Sequence, residues 1–237
     1  MRRIAVILAL LAISLFAGAC SSGGDDDQGA GAAAPLAGPI QDQEPDEIVR
    51  AAENALRTAE SVRLTGEVEE QGERIKLDMR IGRETGARGT IKRGKTSTEL
   101  IRIGDQLWLR GRSFWAETVG ADVANQIGDR WVLVPPSVTS GSGGSIDGLT
   151  DIDGVVDQVL RAGATDVKKG KETKIRGVPV ITLDNVGGGS MWVATEGPAF
   201  PLRMGGGGQR IDFAEYNKPV KVAAPKNVIT DLSTVIG

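Results

Sequence analysis

Position 20 holds the only cysteine of this 237-residue chain, and histidine is absent throughout. Without imidazole there is no Ser-His-Asp or Cys-His catalytic arrangement, no His metal ligand and none of the commonest general base. A single thiol cannot build a cysteine zinc site or close an internal disulfide. What remains is chemistry by carboxylate pairs, Ser-Lys pairs or oxygen-ligated metals, and no local spacing points to any of these. The expectation is a protein without catalytic residues, metal or cofactor.

The setting of Cys20 gives it a different chemistry. Met1-Arg2-Arg3 opens the chain with positive charge, and Ile4 to Phe16 is apolar except for Ser14. That run is too short to cross a bilayer, which takes about 20 apolar residues, and reads as an export signal. Ala17-Gly18-Ala19 then offers small residues for cleavage directly before Cys20, the place where a lipobox puts its acylated cysteine. Ala17 stands where leucine is commonest, and a cut by the ordinary signal peptidase would leave a free thiol instead. Lipidation accounts for an otherwise unpaired cysteine in an exported chain, so residues 1–19 read as a signal peptide and Cys20 as the anchor. More than one acyl chain makes such an anchor stable. The expected location is the extracytoplasmic face of the cell membrane.

Charge narrows the partners. The chain has 28 basic and 31 acidic residues, a net −3, and loss of Arg2 and Arg3 with the leader makes it −5. No basic patch of the kind that neutralises phosphates is in view, so nucleic acid is not an expected partner.

Three motifs carry apparent chemistry. Gly89-Thr90-Ile91-Lys92-Arg93-Gly94-Lys95-Thr96 fits the P-loop pattern letter for letter. A P-loop, however, follows a buried strand and opens a helix whose N-terminus faces phosphate. Here Thr96 to Ile103 reads as a strand, and Gly94 as the tip of a hairpin. Asp147, Asp151, Asp153 and Gly154 faintly resemble a calcium loop, but Leu149 and Leu160 occupy positions where acids are needed. Surface acids of a helix are the plainer account. Gly205–Gly208, with no lysine or helix after them, read as a hairpin loop.

The elements around these motifs follow from periodicity. Residues 20–43 form the lipidated cysteine and a Gly-, Ala-, Ser- and Pro-rich tether, with an acidic run at Asp25–Asp27; its expected reach is roughly 25–30 Å. From Glu44 an amphipathic helix is expected, with Pro45 at its first position and Ile48, Val49, Ala52, Ala55, Leu56 and Ala59 along one stripe. The period then changes to two. Strands are expected at 62–68, 75–81, 88–93, 96–103, 106–110 and 130–134, joined by hairpin links that include Gly111-Arg112. A short helix at 119–127, a loop at 135–145 and a helical stretch at 146–160 come next. Further strands fall at 166–175, 178–186, 191–195, 200–204, 209–216 and 219–222, and 228–236 closes the chain as a helix or a last strand. Residues 44–237 thus make one β-rich domain.

The order of features is more specific than any one motif. Ile103-Gly104-Asp105-Gln106-Leu107-Trp108-Leu109 is followed by Ser113-Phe114-Trp115 and Asp129-Arg130-Trp131-Val132. Later come Met191-Trp192-Val193, Gly197 to Arg203, Asp212 to Tyr216 and Pro219 to Pro225. This succession resembles the actinobacterial lipoproteins of the LppX/LprG type, whose fold is shared with the periplasmic lipoprotein carrier LolA. The resemblance spans residues 44–237. It implies an α+β fold: a strongly curved, incomplete antiparallel β-barrel with helices packed on its concave side and an apolar cavity between them. It also implies a lipid or lipoglycan ligand, membrane contact through the anchor, a monomer, and no catalytic role. A ligand-free protein-binding or envelope-sensing domain on the same scaffold is the alternative. An apolar strand face under helices is a lined pocket or, more commonly, a filled core, and periodicity does not separate the two. The candidate lining residues are Ile75, Leu77, Met79, Ile101, Ile103, Leu107, Leu109, Trp131 and Leu133. Trp108 and Trp192 fall out of phase with their apolar neighbours and are expected on the other face or at a rim.

Overall fold

The apolar stripe after Glu44 folds as α1 (Pro45–Thr58) in a computed structural model that describes residues 38–232 apart from Gln71, 135–145, Ala162, Gly163 and Thr165. Pro45 sits at the start, where a missing N–H costs nothing, and the Glu47 carboxylate accepts the Glu44 N–H at 3.2 Å. Asp46 and Glu47 occupy the first turn and Arg57 the last, each matching the helix dipole. Ile48, Val49, Ala52 and Leu56 are buried, and each of the larger three contributes about 1.5–3 kcal/mol by leaving water.

Eleven strands follow: β1 (Ser61–Glu70), β2 (Glu73–Gly82), β3 (Gly86–Arg93), β4 (Thr96–Ile103), β5 (Gln106–Arg110), β6 (Trp131–Val134), β7 (Val167–Ile175), β8 (Val178–Asn185), β9 (Ser190–Ala194), β10 (Pro201–Gly206) and β11 (Gln209–Ala214). With β12 (Val228–Ile229) they form one sheet in the order β12-β6-β5-β4-β3-β2-β1-β11-β10-β9-β8-β7. Two antiparallel meanders, β1–β6 and β7–β11, therefore meet in the middle, where β1 pairs β11 from Arg63↔Ala214 to Glu67↔Arg210. Only β12 runs parallel to its neighbour, β6. The sheet is open, with β12 and β7 as its two edges.

Strand alternation divides the sheet into two faces. On the inner face Leu64 pairs with Met79, Val62 with Ile81 and Leu100 with Leu109. These join Val132, Leu183, Met191, Val193, Phe213 and the buried side of α1 in a single cluster. The outer face carries ion pairs, among them Arg63–Asp78 and Arg203–Asp212, each at 2.7 Å. It also holds a small apolar cluster of Ile175, Val180, Ala194 and Leu202 beside Trp192, Phe200 and Tyr216.

Between the meanders lie short helices: α2 (Arg112–Val119), α3 (Ala121–Ile127), a 3₁₀ turn (Ile146–Leu149) and α4 (Ile152–Val155), which continues as a π-helical turn over Val156–Leu160. The expected link at Gly111-Arg112 is not a hairpin. Instead the chain enters α2 there, because turning into a helix puts Trp115 in the core at 1% exposure. Gly120, at φ +94, separates α2 from α3. The expected strand at 219–222 is absent as well. Residues 215–227 form an irregular strap from β11, at the centre of the sheet, to β12 at its edge. The strap is tied to the start of β1: Ser61 Oγ donates to the Lys218 carbonyl at 2.6 Å, and the Asn217 N–H to the Ser61 carbonyl at 3.1 Å. The expected loop at 135–145 lies outside the described residues, as do 233–237. Of the closing segment, Val228–Ile229 is a strand.

Candidate functional site

Register sorts the nine candidate lining residues into two groups. Ile75, Leu77 and Met79 share a face of β2, and through Leu77↔Ile91↔Thr98 and Arg102↔Leu107 that face continues to Leu107 and Leu109 on β5. These five belong to the inner layer, with at most 9% exposure. Ile101, Ile103, Trp131 and Leu133 do not. Ile101 pairs with Trp108 and Arg88, and Leu133 with Trp108, so these four sit on the outer face. The strand Thr96–Ile103 has adjacent apolar residues, Leu100 and Ile101, and pairing to β3 and β5 turns Leu100 inward. Its inner positions are Thr96, Thr98, Leu100 and Arg102. In β6 every residue of Trp131-Val132-Leu133-Val134 is apolar, and pairing turns Val132 and Val134 inward.

Trp108 and Trp192 do lie on the outer face, as their phase predicts. Trp131, also outward, has the Arg110 guanidinium 4.6 Å above its ring, and Arg110 is held in turn by Glu99 through two hydrogen bonds at 3.1 and 2.6 Å. At the other end of the sheet Phe200 stacks on Tyr216 at 3.9 Å, and the Tyr216 hydroxyl donates to the Pro201 carbonyl at 2.6 Å. Burial of that hydroxyl raises its pKa well above the usual phenol value.

A buried polar spot lies within the inner layer. Helix α2 packs along β4, where Thr96 and Thr98 face inward and are buried, and the Thr96 hydroxyl donates to the Glu117 carboxylate. Trp115, edge-on to Phe114 at 4.9 Å, is buried with its indole N–H lacking any acceptor among the described residues. An unsatisfied buried donor costs about 1–3 kcal/mol. Trp115 was legible only as part of an aromatic pair after β5; its helix and its inward direction follow from packing that no local pattern reports.

The three apparent motifs resolve into structure. The P-loop match spans β3, a turn at Gly94 and Lys95, and β4, with no helix after it. Gly94 takes φ +55, and a side chain there would meet nothing within 4 Å. Asp151 caps α4 by accepting the Gly154 N–H at 2.6 Å, while Asp153 pairs with Arg57 at 2.8 Å and Arg83 at 3.5 Å. Gly207 and Gly208, both at positive φ, turn β10 into β11. Among the described residues no three Asp, Glu, Cys or His side chains gather as a metal site, and no helix is long and apolar enough to cross a membrane. A surface pocket of about 340 Å³ opens where the strap meets the β2–β3 turn, lined by Ser61, Arg83, Thr85 and Lys218 among others.

No family model and no curated protein sequence matches the chain. Among solved structures it is similar to a LolA-superfamily protein from Nitrosomonas europaea, at 9% identity and a TM-score of 0.28, over 73% of this chain and 93% of that one. It is also similar to MucB, at 14% identity and a TM-score of 0.37, over 77% of this chain. A third similarity is to the MucA/MucB complex of Pseudomonas aeruginosa, at 13% identity and a TM-score of 0.33, over 73% of this chain. The chain spans 63% and 56% of the lengths of the latter two. Overlap at these scores assigns the chain to no family.

Proposed function

We propose that this chain is an exported lipoprotein, held at the outer side of the cell membrane through Cys20, that carries a lipid or lipoconjugate between its curved sheet and short helices. Binding, not catalysis, is its work. The observation that carries the reading is the Trp115 indole N–H, a buried donor without an acceptor among the described residues, set where the apolar inner layer meets the buried Thr96 and Thr98 hydroxyls. A filled core gains nothing from such a donor, whereas an ester or headgroup oxygen would satisfy it. Leu77, Met79, Leu107 and Leu109 share that layer and offer the apolar surface that an acyl chain needs.

Mass spectrometry of lipids that co-purify with the folded chain tests this reading. A lipid stoichiometrically bound to the wild type, and reduced several-fold in Trp115→Phe, is expected. A wild-type chain that never yields lipid when expressed with its native envelope would sink the carrier reading. The alternative, a ligand-free protein-binding or sensing domain, is favoured by the low exposure of the five inner candidates. That reading expects no lipid and an unchanged partner affinity in Trp115→Phe.

A further inference from the structure

Strand direction gives the sheet two distinct ends. The β1–β2, β3–β4, β8–β9 and β10–β11 turns all lie at one end, where β7 also begins; the starts of β1 and β8 lie at the other. Helix α1 ends at Thr58, beside the start of β1 at Ser61, and the Arg83 guanidinium after β2 donates to the Arg57 and Ala59 carbonyls there. From there α1 leads back across the sheet. Asp153 meets Arg57 in its last turn, while Arg161, eight residues further on, meets Glu53 one turn earlier. The 153–161 segment, which leads into β7, thus runs antiparallel to α1. The N-terminus of α1, about 21 Å from its C-terminus, therefore points to the end where β7 begins. Residues 38–44 lead into the helix from that end.

Val186, in the β8–β9 turn, is 70% exposed, and the only other large apolar residue counted as exposed among those described is Val178, at 37%, on the opposite end of β8. Glycines 187–189 follow Val186, and the neighbouring turn is Gly207-Gly208; Gly206 packs so close to the Gly188 carbonyl that a Cβ would stand 2.4 Å from it. Two bare turns thus lie side by side. The Val186 N–H donates to the Asp166 carbonyl, which places the start of β7 beside them. Lys168 and Lys169 there are exposed and make no ion pair among the described residues; they leave opposite faces of β7, Lys168 opposite Asp184 and Lys169 opposite Leu183, and the exposed acids at this end are Asp166, Asp184, Glu69 and Glu73.

We infer that this end, with Val186 at its tip and Lys168 and Lys169 beside it, docks on an anionic bilayer surface. An exposed valine on a glycine turn enters the headgroup layer without burying charge, and lysines gain from anionic lipid. The inference rests on the exported, lipid-anchored reading only for its setting; the contact itself is between the domain and the bilayer.

A chain starting at Ser21 separates the two, because it lacks the anchor and keeps the core cluster drawn from residues 40–232. It also lacks every native cysteine, so a single polarity-sensitive fluorophore can be placed at Val186→Cys or, at the far end of β8, Val178→Cys. Cooperative melting checks that each variant is folded. With phosphatidylcholine vesicles containing phosphatidylglycerol, binding is expected that weakens with salt, with a blue shift from the label at 186 and none from the label at 178. Lys168→Glu/Lys169→Glu is expected to weaken binding by roughly fivefold or more per lysine. Three results would overturn the inference: a folded chain that ignores these vesicles, equal shifts from both labels, or a double lysine variant that binds like the wild type. Failure here leaves the Cys20 anchor standing, since retention of the anchored chain is read separately.

Discussion

Arg63 of β1 holds Asp78 of β2 with two N–H donors, Nε at 2.9 Å and Nη2 at 2.7 Å, while its Nη1 reaches Glu215 at 2.9 Å. One guanidinium thus ties the first hairpin to the start of the strap. The hydrogen bond from Arg63 holds Asp78 below the usual carboxylate range against the opposing effect of burial, and Glu215 is lowered by the same donor. Carboxylates with depressed pKa values stabilise the fold above their unfolded pKa, and that stability is lost as pH falls through the folded value. The melting temperature is therefore expected to be level from pH 7 to about 5 and to fall below about pH 4. Arg63→Gln should destabilise slightly at neutral pH, by about 0.2–1 kcal/mol through the loss of its pairing with Asp78, and shrink the acid-dependent loss. An acid profile identical in wild type and variant would show that this cluster contributes nothing.

Cys20→Ala should release the chain to the soluble exported fraction or arrest its maturation. Fractionation followed by a high-salt wash reads the outcome, and a variant still retained in membranes would refute the anchor.

Lys95→Ala should leave the unfolding free energy within about 0.5 kcal/mol of wild type, because Lys95 is an exposed residue of the β3–β4 turn. Any nucleotide binding lost with this lysine would restore the P-loop reading that the β3–turn–β4 hairpin argues against.

Leu77→Trp and Leu109→Trp enlarge two inner-layer residues. If a ligand shares that layer, lipid content should fall while the melting temperature changes little. In a filled core the same variants cost about 1–3 kcal/mol by overpacking. Calorimetry beside lipid mass spectrometry separates these outcomes.

Local pattern went furthest where polar and apolar residues alternate without a break. In β2, Ile75, Leu77, Met79 and Ile81 alternate with Arg74, Lys76, Asp78 and Arg80, and both strand and inward face could be read directly. In β4 and β6 adjacent apolar residues leave the phase undetermined, so pairing with β3 and β5 decides it, and Ile101, Ile103, Trp131 and Leu133 turn outward. Helix α2 was illegible for a related reason. Its short run has little periodicity of its own, and burial of Trp115 against β4 supplies what propensity lacks. The 219–222 segment shows the converse: Val220 and Val222 alternate like a strand, yet the chain is tied to Ser61 through Asn217 and Lys218 and enters no ladder.

The pairing of β1 with β11 also governs the order in which the molecule can form. Arg63 and Glu215 lie 152 residues apart, whereas each meander is built from neighbours in sequence. The two halves can fold early and locally, but their union waits for nearly the whole chain and bears the entropy of closing a very long loop. A chain emerging N-terminus first during synthesis would hold the edge of β1 unpaired until β11 arrives. During that interval β1 is an open template for strands of other molecules, and incompletely folded chains at high concentration should aggregate through it. The slowest folding phase should accordingly report the β1–β11 seam, and substitutions there should slow refolding more than those within either meander.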